Sequence, residues 1–135
     1  MNATIDPKHL LAGVHVLIAE DEAIIAMDLE DLVETSGGVV SVSVDAVADA
    51  LDHLDGAEVD VALLDINLLD GDVLPLAEAL QRRSIPMVFV SGNPKLDDYA
   101  KRFASAEALS KPAARDDIAY ALHRATRRDP GRGAG

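Results

Sequence analysis

Five times along this chain a short, nearly unbroken apolar run is followed by a segment whose apolar residues return at helical spacing. That alternation is what most limits the fold. Val14, Val16, Leu17, Ile18 and Ala19 form the first run, and Ile25, Leu29, Leu32 and Val33 mark the first helix, which Gly37 and Gly38 are placed to stop. The β-branched stretch from Val39 to Val44 predicts a second strand, with Asp45 as N-cap of a helix that buries Val47, Leu51 and Leu54. Val59 to Leu64 follows, then a turn at Gly71 and a helix carrying Val73, Leu76, Ala77 and Leu80. Ile85 to Val90 leads to Asn93 as N-cap and Pro94 as first helical residue, ahead of Leu96, Ala100 and Phe103. A weak strand from Ala108 to Ser110 and a helix with Ile118, Leu122 and Ala125 complete the series.

Strands alternating with helices predict an α/β protein, with a parallel sheet covered on both faces and right-handed crossovers. An eight-stranded barrel and an open doubly wound sheet both satisfy this pattern, and five βα units are too few for the barrel. The 135 residues suit one domain. We expect residues 13–128 to be that domain, 1–12 a loose N-terminal extension, and 129–135, with Pro130 and three glycines, a flexible tail.

Composition narrows the function. The formal charge of −12 disfavours direct nucleic-acid binding, which needs clustered cations. There is no cysteine, no convincing signal peptide and no apolar run long enough to span a bilayer, which together predict a cytoplasmic protein without a membrane partner. The basic residues are unevenly placed: residues 1–94 hold three of the twelve, residues 95–135 hold nine. Solvated helix faces account for Lys95, Lys101, Arg102, Arg115, Arg124, Arg127 and Arg128 in the ordinary case, and a partner surface on the last two helices is the sharper reading.

In an open α/β sheet, ligands bind beyond the C-terminal strand ends. The residues there are Glu20 and Asp21, Asp65, Ser91 and Lys111. Glu20, Asp21 and Glu22 alone would pass for an acidic helix start. Asp65 changes that reading, because carboxylates gathered at one sheet edge repel unless a cation or protons intervene. Oxygen donors without His or Cys favour Mg²⁺. "DINLLDG" fails as a calcium loop, since Leu69, Asp70 and Leu76 stand where it needs a ligand, a glycine and a glutamate. His9, His15, His53 and His123 show no metal-ligand spacing.

The segments "VLIAEDE", "VALLDINLLDG", "VFVSG" and "LSKP", in this order and at these separations, resemble the receiver domains of two-component response regulators over about residues 14–127. The resemblance implies a flavodoxin-like (βα)₅ fold of strand order 2-1-3-4-5. It further implies that Asp65 accepts a phosphoryl group from a sensor histidine kinase or phosphotransfer protein, that Asp21 ligates Mg²⁺ directly and Glu20 through water, and that Asn67 offers the metal its backbone carbonyl. Ser91 and Lys111 would hold phosphoryl oxygens. Output would pass to a downstream protein through helix 4, strand 5 and helix 5, from a monomer or weak homodimer that catalyses only its own phosphorylation and dephosphorylation. A cis Lys111–Pro112 peptide is expected too.

The sequence departs from the family in three places: Ala108 replaces the aromatic switch residue, Leu69 a proline and Ala113 an aromatic. Two rivals remain. A haloacid-dehalogenase-type phosphatase needs a second aspartate where Asn67 stands. A pseudo-receiver would bind partners without phosphorylation.

Overall fold

The computed structural model describes residues 7–127. Five parallel strands, β1 (His15–Ala19), β2 (Val39–Val44), β3 (Val61–Leu64), β4 (Met87–Ser91) and β5 (Glu107–Ser110), form one sheet in the order β2-β1-β3-β4-β5. Between them run α1 (Ala23–Thr35), α2 (Val47–Leu54), α3 (Leu74–Arg82) and α4 (Leu96–Arg102), and α5 (Arg115–Arg127) follows β5. This is the expected open doubly wound sheet of flavodoxin-like order.

Side chains on a strand alternate between faces. Leu17, Ala19, Ala62, Leu64 and Phe89 therefore enter one core with α2, α3 and α4, whereas Val16, Ile18, Val61, Leu63, Val88 and Val90 enter a second with α1 and α5. Apolar residues are needed on both faces, and this is why the runs were continuous.

Residues 7–12, the described part of the expected loose extension, are tied to the domain. Leu10 and Leu11 are buried in the α1/α5 core. The Leu11 and Gly13 amides donate to the Ser36 and Gly37 carbonyls at 2.9 and 3.3 Å, stitching this segment to the end of α1. Gly37 has φ +91°, and a Cβ there would lie 2.9 Å from the Lys8 carbonyl oxygen, so only glycine fits. Leu11→Ala is expected to cost about 2–4 kcal/mol in urea unfolding. A cost under about 0.5 kcal/mol, ordinary for a surface site, would show that the segment is detachable. The expected tail, 129–135, lies outside the described residues.

Local expectations failed where a long-range contact took over. Asp45 does not cap α2. The residue before the helix is Ala46, which has no capping side chain, and the Asp70 carboxylate accepts from the Val47 and Ala48 amides at 2.7 and 3.0 Å. Those bonds hold the Asp70 carboxyl below its usual pKa. Ala50, not Leu51, completes the buried stripe of α2, and Leu51 is exposed. Asn93 and Pro94 precede α4 rather than open it, because the Asn93 side chain closes a turn onto the Lys95 amide at 2.8 Å and the helix starts at Leu96. A two-residue hairpin, Asn67–Leu68 against Gly71–Asp72, stands between β3 and α3. Its turn includes Gly71 at φ +133°, as the sequence anticipated for that position.

Candidate functional site

Each predicted site residue stands at or just past the end of a strand. Glu20 and Asp21 follow β1, Asp65 follows β3, Ser91 is the last residue of β4, and Lys111 follows β5. Their meeting is a consequence of register. The Asp65 amide donates to the Ala19 carbonyl at 2.9 Å and the Lys111 amide to the Ser91 carbonyl at 3.1 Å, so neighbouring strands end level. The Lys111–Pro112 peptide is cis.

Carboxylate oxygens of Glu20, Asp21 and Asp65 lie within 4.8 Å of one another. The Lys111 ammonium donates to Asp65 Oδ2 at 2.8 Å and Glu20 Oε1 at 2.9 Å. Asp65 Oδ1 accepts from the Ile66 amide at 2.6 Å, and Ser91 Oγ from the Asn93 amide at 3.1 Å. Asp21, Asp65, Asn67, Ser91 and Lys111 line a cleft of about 360 Å³. Glu20 lies beneath the surface with its side chain 2% exposed. All six predicted residues thus converge.

Burial decides the state of Glu20. Loss of solvation is the largest influence on its carboxyl, and the Asp65 charge adds to it. Hydrogen bonds from Lys111 and the Glu22 amide oppose them, and the result is a pKa raised to about 7. For Lys111, burial works against the ammonium, yet the hydrogen bonds to Asp65 and Glu20 prevail and push it up to about 12. The site therefore holds a permanent cation against acids that share little water.

The donor set fits a hard divalent ion: oxygen only, three carboxylates, one cleft. Sequence reasoning gave Glu22 no role, although it belongs to the same acidic run. Its amide donates to Glu20 Oε2 at 3.1 Å and its carboxylate lies 3.7 Å from the Lys111 ammonium.

A second group of possible ligands, His15, Glu58 and Asp60, lies at the opposite end of β1. Here Asp60 accepts from the His15 amide at 2.8 Å while its own amide donates to the His15 carbonyl, so the group joins β1 to the loop before β3. Among the described residues, four cations of the C-terminal part away from the site are engaged within the molecule. Lys95 pairs with Asp72, Arg102 with Glu78, Arg115 with Asp28 and Asp31, and Arg124 with Glu107. Part of the positive charge of the C-terminal segment is thus paired across elements. Among the described residues no helix is long and apolar enough to cross a membrane.

Residues 16–123 match the family model described as the response regulator receiver domain. The chain is 40% identical to SdrG from Sphingomonas melonis Fr1, covering 85% of this chain and 97% of that one, with a TM-score of 0.72. A response regulator receiver protein from Sinorhizobium medicae WSM419 is 26% identical over 85% of this chain and 95% of its own, with a TM-score of 0.77. A CheY-like receiver domain protein from Methanospirillum hungatei JF-1, at 20% identity, shares the fold with a TM-score of 0.78 over 90% of this chain and 99% of that one. No curated protein matches the sequence significantly.

Proposed function

The chain belongs to the response regulator receiver family, matched over residues 16–123, and we propose that it accepts a phosphoryl group on Asp65 and signals through altered protein contacts. Receiver domains are signalling modules that interact with histidine kinases or phosphotransfer proteins and with downstream partners. The observation that carries the proposal is the Lys111 ammonium, 2.8 Å from Asp65 Oδ2 at a cleft shared with Asp21, Asn67 and Ser91.

Asp65 Oδ1 is fixed by the Ile66 amide, which leaves Oδ2, on the Lys111 side, as the attacking oxygen. It forms a bond to the phosphorus of a phosphohistidine as the phosphorus–nitrogen bond breaks, and the electron pair leaves with the imidazole. Lys111 and the Ser91 hydroxyl hold the phosphoryl oxygens as charge spreads over them. Mg²⁺, when bound, offsets the negative charge of the acids and the phosphoryl group. Asp21, Asp65 and the Asn67 carbonyl would hold it, with Glu20 acting through water.

Asn67 offers no acid or base where a dehalogenase-type phosphatase needs one, which disfavours that rival. The complete acid, hydroxyl and ammonium set disfavours a phosphorylation-independent pseudo-receiver. The test is incubation with Mg²⁺ and a small acyl-phosphate donor, followed by intact mass. A gain of one phosphoryl group, mapped to Asp65, is expected; Mg²⁺ binding without any gain would favour the pseudo-receiver.

Mg²⁺ affinity should depend on pH in a definite direction. Below about 7 the Glu20 carboxyl holds its proton, so binding must release it and apparent affinity should fall by up to about tenfold per pH unit. Calorimetry in buffers of different ionisation enthalpy reads that proton. An affinity flat between mildly acidic and mildly alkaline pH would remove Glu20 from the metal site.

A further inference from the structure

Asp72, directly opposite Asn67 in the hairpin, is a meeting point of three elements. Its Oδ1 accepts from the Leu74 amide at the start of α3, at 2.8 Å, and from the Tyr99 hydroxyl of α4; its Oδ2 lies 3.4 Å from the Lys95 ammonium. Tyr99 is buried, with its ring edge-on to Phe89 at 5.4 Å and tilted against Phe103 at 6.1 Å. Phe89 stands two residues before Ser91 on the same strand and so on the same face. Ala108, its partner across β5, contributes no ring.

Resting on the proposed phosphoryl acceptor role of Asp65, we propose that Tyr99 is a positioning residue that latches α4 to the hairpin through Asp72, and that loading the site opens this latch.

The reason is mechanical. Asn67 lines the cleft, so a cation and phosphoryl group held there draw the segment after Asp65 inward. Asp72, paired with Asn67, moves with it. Tyr99 is held back by Phe89 and Phe103. A hydrogen bond weakens steeply with small displacements and poorer angles, so the contact between hydroxyl and carboxylate is lost and α4 is freed at its first turn. The occupied site and the closed latch then oppose each other. By linkage, removing the latch must strengthen loading by the factor by which loading weakens the latch.

Tyr99→Phe tests this, since it keeps the ring and deletes only the hydroxyl. Affinity for beryllium fluoride with Mg²⁺, as a phosphoryl mimic, is measured together with amide exchange across 96–102. We expect the variant to bind about threefold to tenfold more tightly than wild type. Its α4 amides should exchange faster before loading and gain little on loading, whereas wild type gains clearly. Asp72→Asn keeps the oxygen that accepts from both the Leu74 amide and the Tyr99 hydroxyl, so its effect on affinity should be smaller than that of Tyr99→Phe. Tighter binding separates a latch from general damage, which would weaken it. If wild type takes up neither the mimic nor a phosphoryl group, the reading of the site fails and the latch with it. If wild type loads but Tyr99→Phe matches it in affinity and exchange, the latch alone is overturned.

Discussion

Asp65→Asn is expected to abolish phosphoryl uptake while leaving the fold intact. The carboxamide keeps an oxygen to accept the Ile66 amide, the bond that fixes Asp65 Oδ1 at 2.6 Å. It loses the anionic oxygen that would attack phosphorus, and an amide oxygen is far too weak a nucleophile to replace it. Nor should stability suffer greatly. The Asp65 charge is one of the influences raising the Glu20 carboxyl, so its removal relieves repulsion inside the pocket and Lys111 stays paired with Glu20 at 2.9 Å. Intact mass after incubation with an acyl-phosphate donor should show no product for the variant, with a thermal midpoint within a few degrees of wild type. Equal labelling of variant and wild type would place the acceptor elsewhere.

Lys111→Met should have the opposite character, a large loss of stability. The ammonium is the cation hydrogen-bonded to two acids whose side chains are only 2% and 9% exposed, Glu20 and Asp65. Breaking a buried pair by removing one partner leaves uncompensated charge and costs about 3–5 kcal/mol. The pH dependence follows from both groups. Lys111 has its pKa raised to about 12 from 10.5, so its stabilising contribution is complete below 10.5 and lost only as pH rises through 12. Glu20 is raised to about 7, so the folded state holds a proton that the unfolded state has lost, and stability falls as pH rises from 4.5 through 7. Without Lys111 the Glu20 carboxyl loses the influences that lower its pKa and keeps its proton more strongly, and the deficit should be largest at alkaline pH and shrink on acidification. Added Mg²⁺ should recover part of it. Urea unfolding at two pH values, with and without Mg²⁺, gives the answer; a cost under about 1 kcal/mol, the size of a surface ion pair, would show that Lys111 does not hold the acids together.

The strands and site residues were legible because each depends on a local rule. A strand covered on both faces must be apolar at nearly every position, and the break in the run marks its end: Ala19 then Glu20, Leu64 then Asp65, Val90 then Ser91. Since all strands of a parallel sheet point the same way, their ends share one rim, and five residues, Glu20, Asp21, Asp65, Ser91 and Lys111, could be assigned to one place; Asn67 came only from the resemblance. The βα alternation and the limit on barrel closure gave the open sheet, and resemblance to a family supplied the strand order and individual roles.

Other features had no local signal. Asp70 caps α2 from 23 residues away, so a helix start without a capping residue could not be recognised at Ala46. Leu10 and Leu11 looked like part of a terminus because the core they enter is built by α1 and α5, later in the chain. Tyr99 drew no reading from the sequence, yet its hydroxyl finds Asp72 across 27 positions.

The sequence by itself determined the alternation of strands and helices, the rim on which the chemistry collects and the residue types found there, since periodicity and strand ends are properties of neighbouring residues. The tertiary structure alone decided which short polar side chain satisfies which distant backbone group, and so how the hairpin after Asp65 is tied to α2 and α4. A buried donor or acceptor needs a partner, but its chemistry says nothing of where in the chain that partner comes from; only packing the elements together makes that choice.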